Sequence, residues 1–134
     1  MSILFAIRDL FDHVRHELNF PLFYCELKRH KVTYYIYYLS TDNIRVITSD
    51  NEKLLIKGRR CFLKISSVTN PDIIKKAAQS HTAGHLSFYD YCTTLAAAGV
   101  FKWVTDINNN TRLYYSHDNS VLYIEDVENN RPLI

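Results

Sequence analysis

Residues 86–127 read LSFYDYCTTLAAAGVFKWVTDINNNTRLYYSHDNSVLYIEDV, and this stretch decides the fold class. Ser87 suits a helix N-cap, and Asp90 three residues on makes a weaker form of the capping box. Phe88, Tyr91, Cys92, Leu95 and Ala96 recur at helical spacing and predict a buried stripe. Gly99 stops the helix. From Val100 to Ile107 the period changes to two. Phe101, Trp103, Thr105 and Ile107 share one face of a strand; Val100, Lys102, Val104 and Asp106 share the other. Asn108-Asn109-Asn110 and His117-Asp118-Asn119 are turn-rich. The whole reads as a capped helix followed by a three-stranded meander.

Working outward, Asn70-Pro71-Asp72 opens a helix with an Asn cap, proline in the first turn and an early carboxylate. Ile74, Ala77, Ala78 and His81 line its inner side, and Gly84 ends it. Further upstream, VTYYIYYL (residues 32–39) is rich in β-branched and aromatic residues and predicts a strand. Tyr34, Ile36 and Tyr38 point one way, and Tyr35, Tyr37 and Leu39 the other. Strands are also expected at Ile44–Thr48, Lys53–Ile56 and, beyond a break at Gly58, Cys61–Val68. At the N-terminus, Leu4, Ile7, Phe11, Val14 and Leu18 form one apolar stripe of a helix that Ser2 can cap. Asn19-Phe20-Pro21 interrupts it. A second short helix runs from Pro21 to about His30, with Phe23, Tyr24 and Leu27 inward. Paired helices and antiparallel strand groups give an α+β class, paired helices packed on an antiparallel sheet, in a single domain over residues 1–134.

The bulk properties exclude several functions. The chain has 134 residues, a net charge of +2 and 47% apolar residues. That charge is weakly basic and falls short of the strongly basic footprint of a nucleic-acid module. Three cysteines without a Cys-x-x-Cys spacing predict reduced thiols and a cytoplasmic setting. No apolar run is long enough to span a bilayer, and no basic leader precedes the first helix, so no membrane partner is expected. No glycine-rich phosphate loop, nucleophile elbow or pair of catalytic carboxylates is present.

His81-Thr82-Ala83-Gly84, Tyr91-Cys92, Ala98-Gly99-Val100, Lys102-Trp103, Asp106, Thr111 and Tyr114-Tyr115 follow one another at a spacing that resembles the YbcV-like family. Phe20-Pro21, Leu27-Lys28 and Val32-Thr33 extend the resemblance to the N-terminal half. Three positions depart from the pattern. Lys31 stands where a glycine is expected, Asn119 where an Asp-Gly pair has its glycine, and Arg112 where a cysteine is expected. The resemblance implies a compact α+β domain in a bacterial or prophage setting. The family also carries a phage-envelope-protein-like label, and the resemblance implies no reaction.

Five constellations could carry chemistry. His81 and His85 have metal-like spacing, but Gly84 falls between them and no ligand set completes them, so neither a metal nor a cofactor is expected. Cys92 could serve as a nucleophile with His81 as base, which would make a small thiol- or His-dependent enzyme. Its place on the apolar stripe favours core packing instead. Tyr34 with Lys57, Arg59 and Arg60 could form a basic and aromatic nucleic-acid surface. Against that, tyrosines on a strand more often stabilise the sheet through cross-strand pairs. His81, Lys102, Trp103, Asp106, Tyr114 and Tyr115 could line a ligand groove between the His81 helix end and the C-terminal sheet. Finally, an exposed tyrosine-rich strand could pair edge to edge in a homodimer. Taken together, these residues predict a non-enzymatic binding or interaction protein, with a small ligand or another protein as partner.

Overall fold

The computed structural model describes residues 3–17 and 20–126. In chain order the elements are α1 (Ile3–Glu17), α2 (Phe20–Arg29), β1 (Val32–Tyr38), β2 (Asn43–Thr48), β3 (Lys53–Ile56), α3 (Pro71–Thr82), α4 (Phe88–Ala97), β4 (Lys102–Asp106), β5 (Thr111–Tyr115) and β6 (Val121–Asp126). The six strands of the described residues join one antiparallel sheet in the order β3-β2-β1-β4-β5-β6. Ser2, Leu18, Asn19 and the side chain of Val14 lie outside the described part of the chain.

The elements form where local chemistry requires them. Asn70 caps α3 by accepting a hydrogen bond from the Ile73 N–H at 3.3 Å, and Ile74, Ala77, Ala78 and His81 are its buried residues. Ser87 caps α4 through the Asp90 N–H at 3.1 Å. Gly99 ends the α4 segment at a φ of +89°, and a Cβ there would lie 2.9 Å from both the Thr69 methyl and the Val68 carbonyl oxygen. Only glycine meets both conditions.

The four helices of the described residues cover one face of the sheet. Ile7 and Phe11 of α1, Phe23, Tyr24 and Leu27 of α2, Ile74 and Ala78 of α3, and Tyr91 and Leu95 of α4 share a core with Tyr35, Tyr37, Trp103 and Tyr114 of the strands. Rings dominate the contact. Phe11 meets Tyr35 edge to face at 4.8 Å, Tyr37 stacks on Trp103 at 4.4 Å, and Tyr91 leans on Trp103 at 5.2 Å. Such aromatic pairs add stability beyond the area they bury.

The segment 61–68 is not a strand, contrary to its composition. Gly58 sits so close to the β1–β2 turn that a Cβ would lie 2.2 Å from the Thr41 carbonyl oxygen. There the chain leaves the β3 edge and crosses the end of the sheet. Its backbone is satisfied piecemeal: the Leu63 N–H donates to Ser40, the Ser66 N–H to Ala96, and the Asn70 N–H to Ala98. Phe62 and Val68 face outward, Phe62 at 79% exposure. β-Branched composition alone cannot make a strand without a neighbouring edge to pair with.

Candidate functional site

The buried polar centre of the molecule is Arg112 on β5. Its side chain lies on the helix-covered face because the strand alternates: Arg112 and Tyr114 are buried, while Thr111, Leu113 and Tyr115 face the other way. Its Nε donates to Thr105 Oγ1 at 2.9 Å. One terminal nitrogen donates to the Tyr24 hydroxyl at 2.5 Å and to the Tyr35 hydroxyl at 3.4 Å, and the other to the Tyr91 hydroxyl at 3.4 Å. Glu125 of β6 lies 3.8 Å away as the counter-charge, with both side chains almost fully buried. Glu125 also accepts from the Tyr114 hydroxyl at 2.8 Å and from the Thr82 hydroxyl at 3.3 Å. The Tyr91 and Tyr114 hydroxyls share a short hydrogen bond.

Burial disfavours the charged form of each group in this network. It pushes the hydroxyls of Tyr24, Tyr91 and Tyr114 up from the ordinary phenol value. Burial opposes the charge on Arg112, but the surrounding tyrosine hydroxyls outweigh it and hold the guanidinium charged. His81 stacks on Tyr91 with ring centroids 4.1 Å apart. Burial, together with the nearby Arg112 charge, lowers its pKa to about 3. It is therefore a neutral imidazole at physiological pH.

A cavity of about 20 Å³ lies beside this centre, lined by Phe11, Phe23, Tyr37, His81, Phe88 and Trp103 among others. That is room for about one water. The indole N–H of Trp103, on the cavity wall, is a buried donor without a hydrogen-bond partner among the described residues.

The expected ligand groove is split by the sheet. His81, Trp103 and Tyr114 lie buried on the covered face. Lys102, Asp106 and Tyr115 occupy alternate positions and lie on the opposite face. There the Lys102 ammonium sits 5.4 Å from the centre of the Tyr115 ring. Asp106 accepts from the N–H groups of Asn108 and Asn109 and so holds the β4–β5 turn. Backbone alternation separates the six residues, because neighbours in a strand sequence point to opposite faces.

Cys92 is fully buried, with its sulfur 3.7 Å from the Tyr37 hydroxyl. A nucleophile in that position has no path to a substrate. His85, which is exposed, lies beyond the end of α3 while His81 is buried within it, so the two imidazoles do not share a helix face.

The basic surface does not assemble either. Arg60 turns inward, donating to the Leu39 carbonyl at 2.6 Å and to the Tyr37 hydroxyl at 3.2 Å. Arg59 pairs with Asp12 of α1 at 3.6 Å. Tyr34 stands at the start of β1, whereas Lys57 follows Ile56, which aligns through Ile44 with Tyr37 near the other end. The tyrosine-rich strand is also central, between β2 and β4, so it has no open edge; the edges are β3 and β6.

The arrangement does leave the second face of the sheet uncovered by any of the described helices. Three rows of side chains cross it. The middle row runs Leu55, Arg45, Ile36, Val104, Leu113 and Ile124 in direct register. One flanking row holds Tyr34, Asp106, Thr111 and Asp126, and the other Tyr38, Lys102, Tyr115 and Val121. Ile124 is 60% exposed, Val121 48% and Leu55 45%. Period-two reading of the strands identifies these rows, but it does not reveal that the helices all go to the same side.

The family model described as "Protein of unknown function (DUF1398)" matches residues 8–126. The chain belongs to this family. It is 55% identical over 134 residues, the whole of both chains, to "Uncharacterized protein YcgX" of Escherichia coli (strain K12). It is 40% identical over 129 residues to "Uncharacterized protein YbcV" of the same strain, covering 96% of this chain and 95% of that one. The YbcV-like resemblance is thereby shown. The DUF1398 match takes in every strand of the sheet, so the Arg112–Glu125 centre and the uncovered face both lie within the family region.

Proposed function

We propose that this protein is a non-enzymatic interaction module that binds another protein through the uncovered face of its sheet. The observation that carries this reading is the row Ile36, Val104, Leu113 and Ile124, four apolar side chains in register across four strands on the face away from the helices. A contiguous apolar band rimmed by polar residues marks a contact surface more often than a solvated one. The buried thiol of Cys92 and the neutral, stacked His81 support a non-enzymatic role, since neither presents a reactive group to solvent. A bacterial cytoplasm, with a prophage origin, is the setting we assign. The Escherichia coli relatives support the bacterial part and three cysteines outside any disulfide the cytoplasmic part, while the prophage origin rests on the family resemblance alone.

The test is site-specific photo-crosslinking in living cells. A photoreactive phenylalanine analogue at Ile124 should give a discrete protein adduct. The same analogue at Tyr89, equally exposed at 60% but on α4, should not. Equal yields at both positions, or none at Ile124, would overturn the reading.

A further inference from the structure

We infer that the partner of the uncovered face is a second copy of this chain, packed sheet on sheet about a two-fold axis along the middle row; this rests on the interaction reading above. The register itself supplies the argument. Val104 lies midway between Lys102 and Asp106 on β4, Ile36 midway between Tyr34 and Tyr38, and Leu113 midway between Thr111 and Tyr115. A two-fold axis in the interface plane, perpendicular to the strands and passing over that row, reverses each strand on its own copy. Lys102 of one protomer then lies over Asp106 of its partner, and the exchange occurs twice per dimer. Tyr34 meets Tyr38, and Thr111 meets Tyr115. Isologous interfaces require such self-complementarity.

The two-fold axis parallel to the strands gives no such match, because it keeps each residue within its own row. Arg45, in the middle row, is the one charge that the preferred axis brings toward its own copy. It lies two strands from β4, so an aligned-sheet crossing of about 30° swings the two copies to opposite sides of the rim. Asp106 already holds the β4–β5 turn, its Oδ1 accepting two backbone N–H groups and its Oδ2 the Asn109 side-chain amide at 2.9 Å. A carboxylate has about four lone-pair sites, so one on Oδ2 remains for an incoming ammonium. Five strands at about 4.8 Å spacing and five residues of rise give roughly 400 Å² of plan area per copy. That area places the dimer at the weak, reversible end of specific interfaces.

Sedimentation equilibrium of the full chain tests this. Association should appear between about 5 and about 500 µM, at low salt. L113K, at the centre of the face, should abolish it with an unchanged thermal melt. K102E and D106K should each weaken it about tenfold. An equimolar mixture of the two should associate at least as well as the wild type, since the two introduced charges then face each other and are opposite in sign, while the unaltered Lys102 and Asp106 face each other as before. A wild-type chain that stays monomeric throughout, or a mixture that associates no better than either variant alone, overturns the second copy as partner. In that event a crosslink from Ile124 to a protein of different mass would leave the interaction reading standing, and no crosslink at all would remove both.

Discussion

Glu125→Gln should destabilise the protein far more than the loss of one charge on a surface would. Arg112 and Glu125 are 5% and 1% exposed at their side chains and 3.8 Å apart. Removing one member of such a pair leaves a buried charge without its counter-ion, which costs about 3–5 kcal/mol. The low end applies here, because the Thr105 hydroxyl and the tyrosine hydroxyls around Arg112 still accept its hydrogen bonds. A loss of about 3 kcal/mol is a large share of the roughly 5–15 kcal/mol that stabilises a chain of this size. Urea unfolding followed by tryptophan fluorescence is the natural assay. The chain has one tryptophan, and Trp103 lies 5.6 Å beneath the Arg112 guanidinium. Arg112→Met should cost a similar amount, and the double variant should recover about 2 kcal/mol relative to the sum of the singles. A Glu125→Gln cost below about 1 kcal/mol, the usual range of an exposed pair, would refute the reasoning. Full additivity in the double variant would refute it as well.

Three further outcomes follow from single residues. His81 stays neutral in the folded protein down to about pH 3 but takes up a proton near pH 6.5 when unfolded. The unfolded state therefore binds more protons as pH falls from about 6.5 toward 3, and stability is lost across that window by up to about 1.4 kcal/mol per pH unit. His81→Phe should remove this component, so its stability relative to wild type should rise by about 2–3 kcal/mol between about pH 6.5 and 4.5 in urea titrations; a constant difference would contradict it. Lys31 has a φ of +64°, so Lys31→Gly should raise stability by about 0.5 kcal/mol, relief of left-handed strain exceeding the added unfolded-state entropy, as read by thermal melting. Asn70→Ala should cost about 1 kcal/mol by removing the α3 cap, and an unchanged midpoint would show that the cap is dispensable.

The helices and the strands of the sheet were legible because their signals are local. Asn70-Pro71, Ser87, Gly84 and Gly99 mark boundaries that backbone chemistry enforces. The exception among the candidate strands is 61–68, whose composition is right but whose neighbours are a turn and a helix end. The two unusual turn positions were legible in another way. Where the family resemblance led us to expect glycine, Lys31 and Asn119 both adopt the left-handed conformation, at φ of +64° and +66°. The site was less legible. Alternation puts Arg112 in line with Tyr114 and Glu125 in line with Tyr123, and a charged residue on each inward row was a signal in the sequence. Nothing local says that β5 and β6 bring those two charges together, or that Tyr24 from α2 closes over them. The proposed groove failed for the converse reason. It joined Lys102 with Trp103 and Tyr114 with Tyr115, neighbours in sequence that the thickness of the sheet separates.

The position of β1 bears on how the chain is made. Its register with β4 pairs Tyr34–Tyr38 with Lys102–Asp106, a partner synthesised more than sixty residues later. At ribosomal speeds of about 5–20 residues per second, that is a delay of several seconds. Throughout it, the β1–β2–β3 unit would present the flank of its most aromatic strand with a full row of unanswered amide and carbonyl groups. Such a flank is a template for wrong pairings. Slowing elongation ahead of β4 should therefore raise the fraction of chains that aggregate during translation.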